Sequence, residues 1–122
     1  MREILFRGKI VCDGDWIYGG ITWNPSKNEV FIHTKWDEGK VIPETVGQFT
    51  GLNDKNGTKI FEGDIVNYNG SIHKVVFENR CYNARFGIVA EEKETWSFGM
   101  SVPPYLMEVI GNIHDNSELL NK

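Results

Sequence analysis

The 122-residue sequence has very little alanine and leucine, the two strongest helix formers. Ala occurs only at Ala84 and Ala90, and Ala and Leu together number 7, whereas Val and Ile together number 22. β-branched side chains lose rotamer freedom in a helix and pack well on a pleated sheet. The composition therefore predicts a mainly β protein, in which the only helical candidate is a short turn over residues 117–120.

Cysteine pairs and long apolar runs are also missing. Cys12 and Cys81 lie far apart, which argues against a secreted disulfide framework and favours reduced thiols. No apolar run approaches the roughly 18 residues of a membrane span. The first seven residues carry charges within their first apolar stretch, unlike a signal peptide. We therefore expect a cytoplasmic protein with no membrane partner.

Acidic residues outnumber basic ones, and the excess lies in one half of the chain. The whole sequence has 13 Lys and Arg against 17 Asp and Glu, for a net charge of −4. Residues 1–61 carry eight of each sign, whereas residues 62–122 carry five basic and nine acidic side chains, or 5 − 9 = −4. Neutralisation of phosphates dominates nucleic-acid affinity, so this balance disfavours a nucleic-acid site in the second half.

Alternating apolar and polar residues, separated by Gly, Asn and Pro, predict many short strands. The segment 37–58 lacks this periodicity, and we interpret it as a connection between two β units. Asn69-Gly70, between two strand patterns, predicts a two-residue type I′ hairpin. Strands are predicted over 3–10, 16–23, 29–35, 65–68, 71–78, 86–90 and 107–113.

These strands predict three parts: an N-terminal β meander with its connection over 1–57, a small β barrel over 58–115, and a short terminal turn or tail over 116–122.

The sequence shows no recognisable catalytic or metal-binding arrangement. His33, His73 and His114 lie in separate segments, with no His or Cys at ligand spacing near any of them. A calcium loop that placed its turn at Gly57 would have Gly63 where the last ligand belongs, so that template fails. We predict no metal, no cofactor and no enzymatic activity, although the three His residues with Cys12 or Cys81 keep a metal-dependent enzyme open as a third alternative.

The segment 80–86 is the strongest candidate for partner binding. Arg80 and Arg85 alternate there with Tyr82 and Phe86 at the end of a predicted hairpin. Arginine and aromatic side chains anchor protein interfaces, and such loops on small barrels also bind single strands by stacking.

Three blocks of sequence together resemble the YopX family of phage and prophage proteins. The first is REILFRGK at 2–9 with GDWIYG at 14–19. The second is VGQFTGLNDKNG at 46–57 with IFEGDIV at 60–66. The third is EVIGNIH at 108–114 with Asn116 and ELL at 118–120.

The resemblance implies a mainly β protein whose C-terminal part is an SH3-like barrel, and a phage-encoded accessory role inside a bacterial host. It implies no catalytic residues. Within the second block, Gln48 and Thr50 are the polar side chains that we expect either to face a partner or to bond free backbone groups.

The leading hypothesis from the sequence is a non-enzymatic protein that associates with itself and binds a host or phage protein. Its basis is the 15 aromatic residues, more than a small core is expected to hide. The alternative is a nucleic-acid-binding small barrel.

Overall fold

The computed structural model describes residues 4–79, 84–89, 95–97 and 103–120, and side chains of residues 78, 79, 84–86, 89 and 95–97 are outside that description. The described residues form strands, turns and three short 3₁₀ segments, with no α-helix among them. The predicted mainly β class is thus confirmed. None of the helical segments in the described part of the chain is long and apolar enough to cross a membrane.

The described residues form eleven antiparallel strands, in two sheets of six and five strands. The orders are β4-β3-β2-β1-β5-β6 and β10-β9-β8-β7-β11. The strands are β1 Phe6–Lys9, β2 Trp16–Asn24, β3 Glu29–His33, β4 Glu38–Val41, β5 Gly47–Asn53, β6 Lys59–Phe61, β7 Asp64–Tyr68, β8 Ser71–Asn79, β9 Ala84–Val89, β10 Thr95–Ser97 and β11 Met107–Asn112. The 3₁₀ segments are Pro43–Thr45, Pro104–Leu106 and Ser117–Leu120.

The chain divides into two compact units, Met1–Phe49 and Thr50–Lys122. The sequence analysis divides the chain into parts at 57/58 and 115/116, and these boundaries stay predictions. No closed barrel is found among the described strands, so the SH3-like closure of the second part is not confirmed.

In the first unit, strands β1 to β4 follow one another as a meander around an apolar core. The end of β1 also meets β4, through a single bridge between Ile10 and Val41. Two backbone hydrogen bonds flank this bridge, at 2.9 Å from Val11 N to the Lys40 oxygen and at 2.9 Å from Ile42 N to the Lys9 oxygen. The buried core consists of Val30, Ile32 and Val41, with Phe6, Ile10, Ile17 and Val46 packed against it.

In the second unit, the predicted 69–70 hairpin is confirmed. Asn69 and Gly70 both have positive φ, 54° and 83°, and Tyr68 pairs with Ser71 across the turn. This is the backbone that a type I′ turn requires. The core of this unit consists of Ile60, Val66, Val75, Ile88 and Met107, with Tyr68 and Val109 packed against it.

The interpretation of 37–58 as a connection without strands is wrong. The segment holds β4 and β5, and β4 reads Glu-Gly-Lys-Val, so it shows no apolar alternation. Gly39 replaces the apolar residue because the space above it is already filled: a Cβ there would lie 3.3 Å from both Ile10 and Ile17. An apolar side chain would overpack this site, so the strand signal is absent for a packing reason.

Candidate binding surface

Only two of the six predicted partner-binding residues have described side chains. Gln48 is half-buried on β5, opposite Phe6 of β1. Thr50 is 2% exposed. Its hydroxyl accepts a hydrogen bond from Leu52 N at 3.2 Å and lies 3.5 Å from the Leu52 carbonyl oxygen. Thr50 therefore has a local structural role.

The other four predicted residues belong to the 80–86 segment. Arg80 and Tyr82 lie outside the described residues. Arg85 and Phe86 belong to β9, where they pair with Glu78 and Phe77 of β8, but their side chains are outside the description. Partner binding by this segment stays a prediction.

The most specific sequence block surrounds a buried carboxylate, that of Asp54. Its Oδ1 accepts hydrogen bonds from the backbone N–H groups of Asn56 at 2.8 Å and Thr58 at 2.9 Å. Its Oδ2 accepts one from Val109 N in β11, at 2.8 Å. Gly57, with φ at 81°, completes the turn. The turn at Gly57, where the calcium-loop template was tested, is thus held by a carboxylate that bonds backbone N–H groups.

A second carboxylate in the same block has a similar backbone role. Asp64 is buried, and its Oδ2 accepts a hydrogen bond from Phe61 N at 2.7 Å. Between them, Gly63 adopts a positive φ of 90°, which suits glycine. Its N–H donates to Val75 and its oxygen accepts from Ile113, at 3.0 and 2.9 Å. The Gly-Asp pair therefore turns the chain from β6 into β7.

The third block closes the C-terminal turn through two asparagines. Asn112 Oδ1 accepts hydrogen bonds from the N–H groups of His114 and Asp115, at 3.0 and 2.9 Å. Asn116 Oδ1 accepts one from Asn112 N at 3.2 Å. A Cβ on Gly111 would lie 2.6 Å from that same oxygen, which explains a glycine at this position. The described residues of this block thus stabilise the fold.

The histidines and cysteines occupy unlike environments. His33 and His114 are exposed, His73 is buried, and Cys12 is an exposed free thiol, while Cys81 lies outside the described residues. Within the described residues, no group of three or more His, Cys, Asp or Glu side chains is arranged to hold a metal ion. The hypothesis of a metal-dependent enzyme therefore has no such site within the described residues.

A cation–aromatic stack lies on one face of β1 and β2. The guanidinium carbon of Arg7 is 4.7 Å from the centre of the Trp16 ring, and Lys9 Nζ is 5.7 Å from it. The strand register explains the geometry, since Lys9 pairs with Trp16 and Arg7 with Tyr18. Arg7 is only 6% exposed, so it packs with the sheet and leaves little surface to a ligand.

Two tryptophans of the first unit are exposed instead of packed in its core. Trp23, near the end of β2, is 63% exposed, and Trp36, in the turn between β3 and β4, is 84% exposed. Ile21, two residues before Trp23 and on the same face of β2, is 37% exposed. Tryptophan is among the residues most often found at the centre of protein interfaces. We therefore take Ile21, Trp23 and Trp36 as the candidate binding residues.

The turn that carries Trp36 is firmly held. The Thr34 hydroxyl accepts hydrogen bonds from Trp36 N at 3.1 Å and Asp37 N at 2.9 Å, and Thr34 N donates to the Asp37 oxygen at 2.7 Å. Lys35 Nζ lies 5.2 Å from the centre of the Trp36 ring. The side chain is thus presented on a preorganised backbone, which reduces the entropy lost on binding.

The backbone next to Trp23 depends on two adjacent glycines. A Cβ on Gly19 would overlap the carbonyl oxygen of His33, and one on Gly20 would lie 2.6 Å from the His33 ring. Gly20 and His33 are directly paired between β2 and β3. The Gly-Gly pair thus lets β3 approach β2 closely.

The sequence prediction used only the total number of aromatic residues, and it did not identify Trp23 or Trp36 as binding residues. The available signal for Trp36 is its place in a polar turn, Thr-Lys-Trp-Asp, where no alternating pattern requires a large apolar side chain. Trp23 gives a weaker signal, because its alternation in β2 also fits a core position.

Comparison with known proteins supports the family and the fold. The model of the YopX family, described as YopX protein, matches residues 11–121. No curated protein matches the chain. Among solved structures, the crystal structure of protein EF1440 from Enterococcus faecalis is similar, with a TM-score of 0.63 and 24% identity over 98% of this chain and 99% of that one. At that identity, the likeness shows the fold alone.

Proposed function

We propose, from the premise that the chain belongs to the YopX family, that it is a non-enzymatic protein-binding module that associates with itself. The proposal includes an accessory role for a phage or prophage, in the cytoplasm of the bacterial host, and contact with a host or phage protein. An SH3-like barrel in the second part of the chain remains part of this proposal.

The exposure of Trp36 is the observation that carries the proposal. At 84% exposed, this side chain contributes little to the core of the first unit, yet its turn is held by three hydrogen bonds. When a partner covers a large aromatic ring, the ring leaves water and binding is stabilised. The isolated chain does not obtain this gain in free energy. Trp23 and Ile21 support the same conclusion in the same unit.

Polar side chains of the family motifs stabilise the backbone in the described part of the chain. Asp54 and Asp64 of the second block and Asn112 of the third block bond backbone groups. A binding role then rests on surface side chains, namely Ile21, Trp23 and Trp36. Arg80, Tyr82, Arg85 and Phe86 remain a second predicted contact region.

The self-association part is tested by light scattering coupled to size exclusion at tens of micromolar, where weak but specific dimers form. We expect a mass of at least twice the 14.0 kDa of one chain. A strictly monomeric chain would contradict self-association.

Binding to other molecules is tested with tagged protein in cells that carry the corresponding phage or prophage. We expect co-purification of a specific protein with the wild type and its loss with Trp36→Ser. A gel-shift series with single- and double-stranded DNA and RNA at low salt tests the alternative, and salt-sensitive binding there would favour nucleic acid over protein as the partner.

A further inference from the structure

The turn between β7 and β8 contains an Asn-Gly pair, the dipeptide in which asparagine loses its side-chain nitrogen most readily. The sequence has two such pairs, Asn56-Gly57 and Asn69-Gly70. Amide side chains are thermolabile, and a following glycine, which has no side chain, leaves its backbone nitrogen open to the preceding residue. Asn69 is exposed in the hairpin turn, so its sequence and its position both favour deamidation.

Deamidation at this turn uses the backbone nitrogen of Gly70 as the nucleophile. The nitrogen loses its proton to hydroxide and attacks Cγ of Asn69. A C–N bond forms, and the bond from Cγ to the side-chain nitrogen breaks. The leaving nitrogen takes a proton from water, which regenerates hydroxide, and departs as ammonia. Water then opens the resulting succinimide at either carbonyl and yields aspartate or isoaspartate.

The proton that this reaction must remove is held by a hydrogen bond. Gly70 N donates to Asn67 Oδ1 at 3.1 Å. In a two-residue hairpin the closing backbone hydrogen bond joins the flanking residues, here Tyr68 and Ser71. The N–H of the second turn residue therefore needs another acceptor, and the half-buried side chain of Asn67 supplies it.

We propose that Asn69 is a latent deamidation site and that Asn67 protects it through Gly70. Removal of the Gly70 proton breaks the hydrogen bond and leaves a negative nitrogen opposite the partly negative Oδ1 of Asn67. Both effects raise the barrier to attack on Asn69. This modification site and its protection are independent of the proposed binding function.

Isoaspartate at position 69 would damage the hairpin directly. It lengthens the main chain by a methylene group within the turn, and the type I′ geometry fits a loop of only two ordinary residues. The pairing of Tyr68 with Ser71 would then be lost. Because β7 and β8 carry Val66 and Val75 of the core, protection of Asn69 preserves the packing of the second unit.

The second Asn-Gly pair provides a reference in the same molecule. Gly57 N donates to the backbone oxygen of Asp54 at 3.1 Å, so its acceptor is not a side chain and is retained when Asn67 is replaced. A substitution that merely loosens the second unit would accelerate deamidation at both pairs. A substitution that only removes the acceptor of Gly70 accelerates it at Asn69.

Asn67→Ala in the full chain tests the proposal. The folded protein is incubated at mildly alkaline pH, and peptide mapping by mass spectrometry follows aspartate and isoaspartate at both pairs. We expect deamidation of Asn69 to be about fivefold faster than in the wild type, the factor that one hydrogen bond contributes, relative to Asn56 in the same sample. Asn67→Asp keeps an acceptor oxygen and should react no faster than the wild type.

Incubation in guanidinium chloride removes the hairpin and is the control for local sequence. There Asn69 should react equally fast in the wild type and in Asn67→Ala, and a persistent difference would overturn the proposal. It is also overturned if Asn67→Ala leaves the rate at Asn69 in the folded chain unchanged, or raises the rates at Asn56 and Asn69 equally. Equal rates at Asn69 in Asn67→Asp and Asn67→Ala would exclude the acceptor oxygen as the cause. Circular dichroism verifies that each variant is folded.

Discussion

The carboxylate of Asp54 and the backbone N–H of Val109 form a 2.8 Å hydrogen bond that joins residues 55 positions apart in the sequence. The same carboxylate holds the turn that follows it, so one side chain orders a loop and fixes that loop to strand β11. An edge strand that bonds a buried carboxylate is also protected from pairing with another chain.

We expect Asp54→Ala to destabilise the protein by about 3 kcal/mol, because it leaves three N–H groups without their acceptor. Asp54→Asn keeps one acceptor oxygen and should lose less. The free energy of unfolding in urea measures both. Asp37→Ala, which removes an exposed carboxylate, is the control and should change stability by at most about 0.5 kcal/mol. Equal effects of the two alanine variants would contradict the role of Asp54.

Gly19 and Gly20 should differ in their tolerance of a side chain. A Cβ on Gly19 meets the backbone of His33, which moves only with strand β3, whereas a Cβ on Gly20 meets the His33 ring, which can rotate away. We expect Gly19→Ala to cost about 3 kcal/mol and Gly20→Ala about 1 kcal/mol or less. Urea unfolding compares them directly, and a larger loss for Gly20→Ala would contradict the packing described for β2 and β3.

Gly70 is a site where backbone conformation alone determines the cost. Its φ of 83° is readily adopted only by glycine, and there is open space around its Cα. We expect Gly70→Ala to lose about 1 kcal/mol through strain and not through a clash. The control is Asn69→Gly, since Asn69 also has a positive φ and glycine adopts it freely. A neutral Gly70→Ala in urea unfolding would contradict the type I′ turn.

The sequence was most informative where local chemistry alone decides the structure. Asn69-Gly70 predicted a hairpin because few dipeptides accept two positive φ values in succession. Strand β4 escaped prediction because Gly39 occupies a position where Ile10 and Ile17 fill the space from elsewhere in the chain. Such a substitution of an apolar residue by glycine is visible only when the packing partners are known.

The candidate binding residues illustrate a second limit of the sequence. Trp23 follows the same alternation as core residues and pairs with the buried Val30, yet its ring is 63% exposed. The polar residues of the family blocks invited a partner role, yet in Thr50 the hydroxyl bonds the backbone of Leu52. Local sequence does not show whether a polar group bonds its own chain or another.

Trp36→Ser should separate binding from stability. Because the ring is 84% exposed, we expect the free energy of unfolding to change by at most about 0.5 kcal/mol, while capture of a partner from phage- or prophage-carrying cells falls at least tenfold. The matched control is Tyr105→Ser, an aromatic residue 67% exposed in the second unit, which should leave capture intact. If a partner contacts an exposed ring, removal of that ring must weaken its binding. Loss of capture with Tyr105→Ser but not with Trp36→Ser would therefore place the binding surface in the second unit.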